Sequence, residues 1–243
     1  MISPVIVDVY PRDKPVDWTA YIAAGHPFVG AVFKLSQGLH YEYAGWAYQQ
    51  RQPFVRSPRY GVDLLDGFYH YLDFGSDGTR QADWFWGLME RIGGEQIGTL
   101  WAMVDAERGG QTVALTKSRV EGCIGAFAQR YQQLSGRTAT LYGGELLRAI
   151  GAHGRYGCGR SSVALYASEL HGLRETTAQF LARTGTDLAH LLSWQYQGTE
   201  APSGPAGYPR LIPGGGAVTY DISALTLPGG LEALRSQLWA ERP

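Results

Sequence analysis

The chain has 243 residues, 44% of them hydrophobic, with 21 basic against 22 acidic side chains and a formal net charge of −1 at pH 7. That length can bury one large core, and with no linker-like stretch a single domain over residues 1–243 is expected. Balanced, scattered charge argues against a nucleic-acid surface, no apolar run approaches the ~20 residues that span a bilayer, and no cleavable leader is expected before the first strand pattern.

The chain opens on an alternating run, Val5 to Tyr10, with Val5, Val7 and Val9 on one face and Ile6, Asp8 and Tyr10 on the other. A lone Asp in a buried strand needs a reason. Pro11, Asp13 and Pro15 make a loop, and Asp17 begins a helix that Gly25 stops. Phe28 to Leu35 is the second strand, followed by Ser36-Gln37-Gly38 and a looser stretch rich in Tyr, Gln and Arg. Leu65 to Leu72, the third strand, carries Tyr69, His70 and Tyr71; His70 alternates away from Tyr69 and reads as a core histidine. Asp77 or Thr79 can cap the next helix, in which Ala82, Phe85, Trp86 and Met89 fall at helical spacing.

Leu100 to Glu107 is the stretch around which the chain is organised. Alternation puts Trp101, Met103, Asp105 and Glu107 on one face and the small aliphatic row Leu100, Ala102, Val104 and Ala106 on the other, as for a strand under a helix layer. The first row turns from bulky apolar to acidic where Arg108-Gly109-Gly110 begins a loop. Two crowded carboxyl groups drive their pKa values apart, leaving one to donate a proton and one to stabilise positive charge. Glycoside hydrolysis uses that division of labour.

Beyond it, Ser118 to Leu134 is the clearest helix, with Val120, Ile124, Phe127, Tyr131 and Leu134 on one stripe and Gly136 as its stop. Cys123 lies on this helical pattern as a small core residue, and Cys123 and Cys158 together are too few for a disulfide framework or a metal site. Further strands are expected at Thr138 to Tyr142, Val163 to Ala167, Leu191 to Tyr196 and Val218 to Ile222. Helices are expected at Glu145 to Ile150 and around Leu231, Leu234 and Leu238. In the seventh strand Leu192, Trp194 and Tyr196 share one face and Ser193 and Gln195 the other. Eight strands alternating with helices predict an α/β fold: a single flattened or irregular (β/α) barrel, TIM-barrel-like and mostly parallel. Its active site belongs at the carboxyl ends of the strands, where Asp8, Asp105, Glu107 and Asp221 would converge with several aromatics suited to sugar rings.

These residues resemble the family 25 glycoside hydrolases, the muramidases found among phage endolysins and bacterial wall-lytic enzymes. The resemblance rests on Val7-Asp8-Val9, Asp17-Trp18, Lys34-Leu-Ser-Gln-Gly, Gly67-Phe-Tyr-His, Gln81-Ala-Asp, Asp105-Ala-Glu107, Leu141-Tyr142, Trp194-Gln195-Tyr196 and Tyr220-Asp221-Ile222, in order over nearly the whole chain. Tyr10 replaces a more usual Ser-His start, Gln37 stands where Glu is common, and Ile222-Ser223 replaces a nearby Asn.

The resemblance implies cleavage of the β-1,4 bond between N-acetylmuramic acid and N-acetylglucosamine in peptidoglycan, and an acidic site formed by Asp8, Asp105, Glu107 and Asp221. Glu107 would be the general acid, its pKa raised by the other carboxylates, with Asp105, Asp8 and Asp221 ionised in support. A surface pair with Arg108 or Lys117 is the ordinary alternative for Glu107. Tyr69, Tyr142, Tyr166, Trp194, Gln195, Gln37 and Lys34 would line the sugar site, although Trp194 could equally be plain core. No cofactor is expected, and the enzyme would act on the cell wall as a monomer. Two other readings stay open: a barrel that binds glycan without cutting it, favoured by Gln37, and a hydrolase using the four acids as hard metal ligands.

Overall fold

The computed structural model of the chain describes residues 3–143, 145–151, 154–164, 191–198, 208–216, 220–225 and 232. Its strands are β1 (Val5–Val9), β2 (Phe28–Gln37), β3 (Tyr41–Glu42), β4 (Leu65–Tyr71), β5 (Trp101–Asp105), β6 (Thr140–Tyr142), β7 (Arg160–Ala164), β8 (Leu191–Gln197) and β9 (Asp221–Leu225). The helices are α1 (Trp18–Ala24), α2 (Ala44–Val55), α3 (Gly78–Gly93), α4 (Lys117–Ser135) and α5 (Glu145–Ala149). One sheet runs β1-β9-β8-β7-β6-β5-β4-β2-β3, and β1 also pairs with β2, so the ladder closes into an eight-strand barrel with β3 appended. The barrel strands are parallel except β9, which runs antiparallel to both β8 and β1. Among the described residues no helix is long and apolar enough to cross a membrane.

Alternation divides the core into two layers. Leu100, Ala102, Val104 and Ala106 pack outward with Phe85, Phe127 and Tyr131 of α3 and α4, while Trp101 and Met103 face inward with Ile6, Val32, Tyr69 and Tyr142. Crowding inside is tight at Gly67, where a Cβ would lie 2.6 Å from the Trp101 carbonyl oxygen. Asp77 caps α3 by accepting from the Arg80 amide (2.9 Å), Thr116 caps α4, and Gly136 ends α4 in the left-handed conformation at φ 71°.

Three sequence expectations are corrected. The looser stretch after Gly38 contains α2, whose buried positions Ala44, Ala47, Arg51 and Phe54 form a helical stripe with a charge in it. The buried Arg51 is matched on the outer face of β4 by Asp66 (Nε to Oδ2, 2.9 Å), which also accepts from the Tyr60 hydroxyl (2.5 Å). The strand expected at Val163 to Ala167 lies at Arg160–Ala164, and the last lies at Asp221–Leu225, antiparallel to its neighbours, with Ile222 and Ala224 in the outward apolar row against β1. The expected helix through Leu231, Leu234 and Leu238 lies outside the described residues except for position 232.

His70 is a fully buried core histidine, as its phase in β4 implied. It stacks on Phe127 (5.2 Å between ring centres), and its Nε2 donates to Gln81 Oε1 (3.1 Å), which also accepts from the Asp73 amide (2.9 Å). The Ser36 hydroxyl meets Nδ1 at 2.8 Å, so the neutral ring is satisfied on both sides. Burial pushes its pKa down to about 4. The unfolded chain, with an ordinary value near 6.5, takes up this proton first, so the contribution is complete above pH ~6.5 and is lost as pH falls towards 4, about 3 kcal/mol in all. Denaturant titrations at pH 7 and pH 4.5 are expected to show this loss in the wild type and its absence in His70→Gln. Asp66→Ala, which strands Arg51 without its counter-charge, is expected to lower unfolding free energy by roughly 3–5 kcal/mol.

Candidate active site

The inward rows of the barrel strands end together at one mouth. Asp8 is the penultimate residue of β1, Tyr71 the last of β4, Asp105 the last of β5 and Tyr142 the last of β6. Register sets Tyr71 beside Asp105 and Asp105 beside Tyr142. Beyond β5 the ladder continues for one hydrogen bond, from the Ala106 amide to the Tyr142 carbonyl (2.9 Å). Glu107 therefore follows Asp105 on the inward phase. Asp221 reaches the same mouth from the other direction: it is the first residue of an antiparallel strand and lies directly opposite Asp8.

These side chains line a cavity of about 210 Å³. It brings together Asp8, Asp105, Glu107, Asp221, Lys34, Tyr69 and Tyr142, all singled out in the sequence, with Tyr71 from the same strand end as Tyr69, and with Tyr10 and Asp13, which were not expected at the site. Tyr10 had a signal: it continues the inward alternation that carries Asp8. Asp13 follows from no strand phase; its carboxylate accepts from the Tyr10 amide (2.6 Å) and folds the loop back over the mouth.

Five carboxyl groups thus share the lining with one ammonium. Burial, then the charges of Asp221, Glu107 and Asp13, push the Asp8 carboxyl well above the usual carboxylate range, against the pull of Lys34. Asp105 is raised in the same way, by burial first and then by Glu107 and Asp8, and its Oδ1 is buried without a hydrogen-bond partner. Burial first, and then the neighbouring carboxylates, raise both groups towards the neutral form, against the pull of Lys34. Burial also lowers the Lys34 ammonium, while Asp105, Asp8 and Glu107 hold it up.

Neighbouring contacts fix the walls. The Tyr142 hydroxyl donates to Gln195 Oε1 (2.5 Å), so Gln195 sits behind the lining as the support of Tyr142. Its amide nitrogen is buried without a partner. Gln37 also stands behind the lining, accepting from Lys34 Nζ (2.9 Å). Trp194 is not part of the lining: it shares the outward face of β8 with Tyr196 (6.1 Å between rings), pairs with Ala224 and packs against the outer core, while Gln195 takes the other face. Tyr166 lies outside the described residues. Lys117, one candidate partner for Glu107, lies 3.9 Å from Glu121.

The loop carrying Glu107 is clamped at two points. The Tyr71 hydroxyl donates to the Gly109 carbonyl (2.6 Å). Gln111 donates to the carbonyls of Leu72 (2.7 Å) and Glu107 (3.3 Å) and accepts from the Phe74 amide (3.0 Å). Among the described residues no three His, Cys, Asp or Glu side chains converge to hold a metal ion.

The sequence pattern of one family, Glycosyl hydrolases family 25, matches residues 7–204. No curated protein sequence is significantly similar to the chain. Among solved structures, the bacterial lysozyme from Streptomyces coelicolor superposes with a TM-score of 0.70 at 19% identity, over 99% of each chain. A family GH25 lysozyme from Aspergillus fumigatus gives 0.65 at 19% identity, over 97% of this chain and 99% of the other. The catalytic domain of endolysin ply40 from bacteriophage P40 of Listeria monocytogenes gives 0.63 at 15% identity, over 96% and 98%. At these identities the likeness is one of fold.

The clamp makes a simple demand. Gln111→Ala removes its three hydrogen bonds, so unfolding free energy is expected to fall by about 2 kcal/mol. Limited proteolysis should then cut between residues 107 and 112 faster than in the wild type.

Proposed function

Because the chain belongs to glycosyl hydrolase family 25 and is a glycoside hydrolase, we propose that it is a muramidase that cleaves the β-1,4 bond between N-acetylmuramic acid and N-acetylglucosamine of peptidoglycan. The observation that carries this reading is the convergence of Asp8, Asp105, Glu107 and Asp221 on one cavity with tyrosines in its walls. Carboxyl groups supply the proton and the negative charge that glycosidic cleavage needs, and aromatic faces suit the apolar sides of sugar rings. The names lysozyme and endolysin borne by proteins of the same fold agree with a substrate in the bacterial wall, which would make the cell wall its place of action.

In this mechanism Glu107, half-buried at the rim, protonates the glycosidic oxygen as the bond to the anomeric carbon breaks. Asp8 and Asp105 resist ionisation in the crowded site. A positive charge growing on the sugar ring is attracted to the carboxyl oxygens lining the cavity more strongly than the neutral substrate is, with the Glu107 proton the one that moves, and this is the differential stabilisation that accelerates a reaction. Asp221, opposite Asp8, would position water or the substrate acetamide. Tyr142, held by Gln195, presents a fixed hydroxyl to the sugar.

Purified cell walls incubated with the protein should clear and release fragments whose reducing end is N-acetylmuramic acid, identified by mass spectrometry. Fragments ending in N-acetylglucosamine, or wall binding without clearing, would overturn the assignment. Glu107→Gln is expected to keep the fold, read by circular dichroism, and to lose about 10³-fold in rate of clearing.

A further inference from the structure

Among the described residues Lys34 is the cation that lines the acidic cavity. It is 6% exposed on the inward face of β2, with its Nζ 4.7 Å from the ring centres of Tyr10 and Tyr71 and 5.8 Å from those of Tyr43 and Tyr69. The hydrogen bond its ammonium makes goes to Gln37 Oε1 at 2.9 Å, an uncharged acceptor. Tyrosine faces attract a cation without neutralising it, and they keep water away from it. A neutral amide likewise orients the ammonium and leaves its charge whole. The only opposite charges in the lining are the carboxyl groups across the cavity.

We propose that Lys34 is a positioning residue for the carboxyl cluster: its caged, uncompensated ammonium sets how many of the acids are ionised, and Gln37 leaves that charge undiminished. The groups facing it are known from each element. From β1 and the loop after it come Asp8, Tyr10, Asp13 and the exposed Arg12, whose own positive charge opposes Lys34. Asp105 and Glu107 face it at the end of β5, and Asp221 at the start of β9. Tyr43, Tyr69, Tyr71 and Tyr142 complete the surroundings and are neutral below alkaline pH. Taking away the one cation of the lining disfavours every ionised carboxylate there, so protons should be held to higher pH.

The role of this charge in catalysis rests on the hydrolase reading above, so the test has one arm that needs activity and one that does not. Lys34→Met keeps the long unbranched stem between the rings and removes the charge. The pH-rate profile of wall clearing is expected to move up by about one pH unit, with both limbs moving together. The carboxyl carbons of Asp8 and Asp105, followed by carbon-detected NMR, should titrate higher by a similar amount. Gln37→Glu places a carboxylate against the ammonium with almost no change of shape, and is expected to shift the same titrations upward by less. Should Lys34→Met not fold, Gln37→Glu decides. Unmoved carboxyl titrations in a folded variant overturn the proposal, and so does a lower rate at an unchanged pH profile, the mark of a merely structural lysine. A wild type that never clears walls, but whose carboxyl groups respond to Lys34→Met, would sink the muramidase reading and leave this one standing.

Discussion

Closure of the barrel at β1 is the constraint on which the site depends. That strand pairs with β2 on one side and with β9 on the other, and it places Asp8 opposite Asp221. Inward alternation then brings Asp105 and Glu107 from β5 to the same mouth. No single segment holds more than two of these acids, so their juxtaposition belongs to the tertiary ladder. The apolar layers beneath and outside it, filled by Trp101 and Met103 within and by α3 and α4 without, hold the ladder in that closed form.

The consequence is electrostatic. Five carboxyl groups around one small cavity cannot all carry charge at low cost, and burial adds to the penalty at Asp8 and Asp105. A site of this kind is in tension without substrate and is relieved by positive charge. Lys34 places one positive charge in that same lining. The walls are held firmly enough to sustain the tension: Gln195 fixes Tyr142, Tyr71 holds Gly109, and Gln111 ties the Glu107 loop to the end of β4.

Much of this was legible in the sequence where a period could be followed. The row Trp101, Met103, Asp105, Glu107 declared its face, the stripe of α4 declared its length, and the four acids fell at strand ends. Legibility failed where one residue's partner lies far along the chain. Arg51 interrupts the apolar stripe of α2 and makes it read as a polar loop, because the Asp66 that justifies a buried charge sits on another element. Trp194 was placed at the sugar site by resemblance, with plain core as its equal alternative, and it packs with Tyr196 against the outer core while Gln195 faces Tyr142. The raised pKa of Asp8 and Asp105 comes first from burial and then from how closely the acids are packed, neither of which any spacing in sequence encodes.

The seam of the barrel also imposes an order of assembly. Since β1 is joined to β9, the first strand stays half-paired until the last has emerged and docked, and contacts of such wide sequence separation form late. A growing polypeptide therefore carries Asp8, Asp105 and Glu107 long before it acquires Asp221. The acidic mouth is completed only once β9 docks against β1, and a chain stopped before residue 221 would leave a barrel with an open stave.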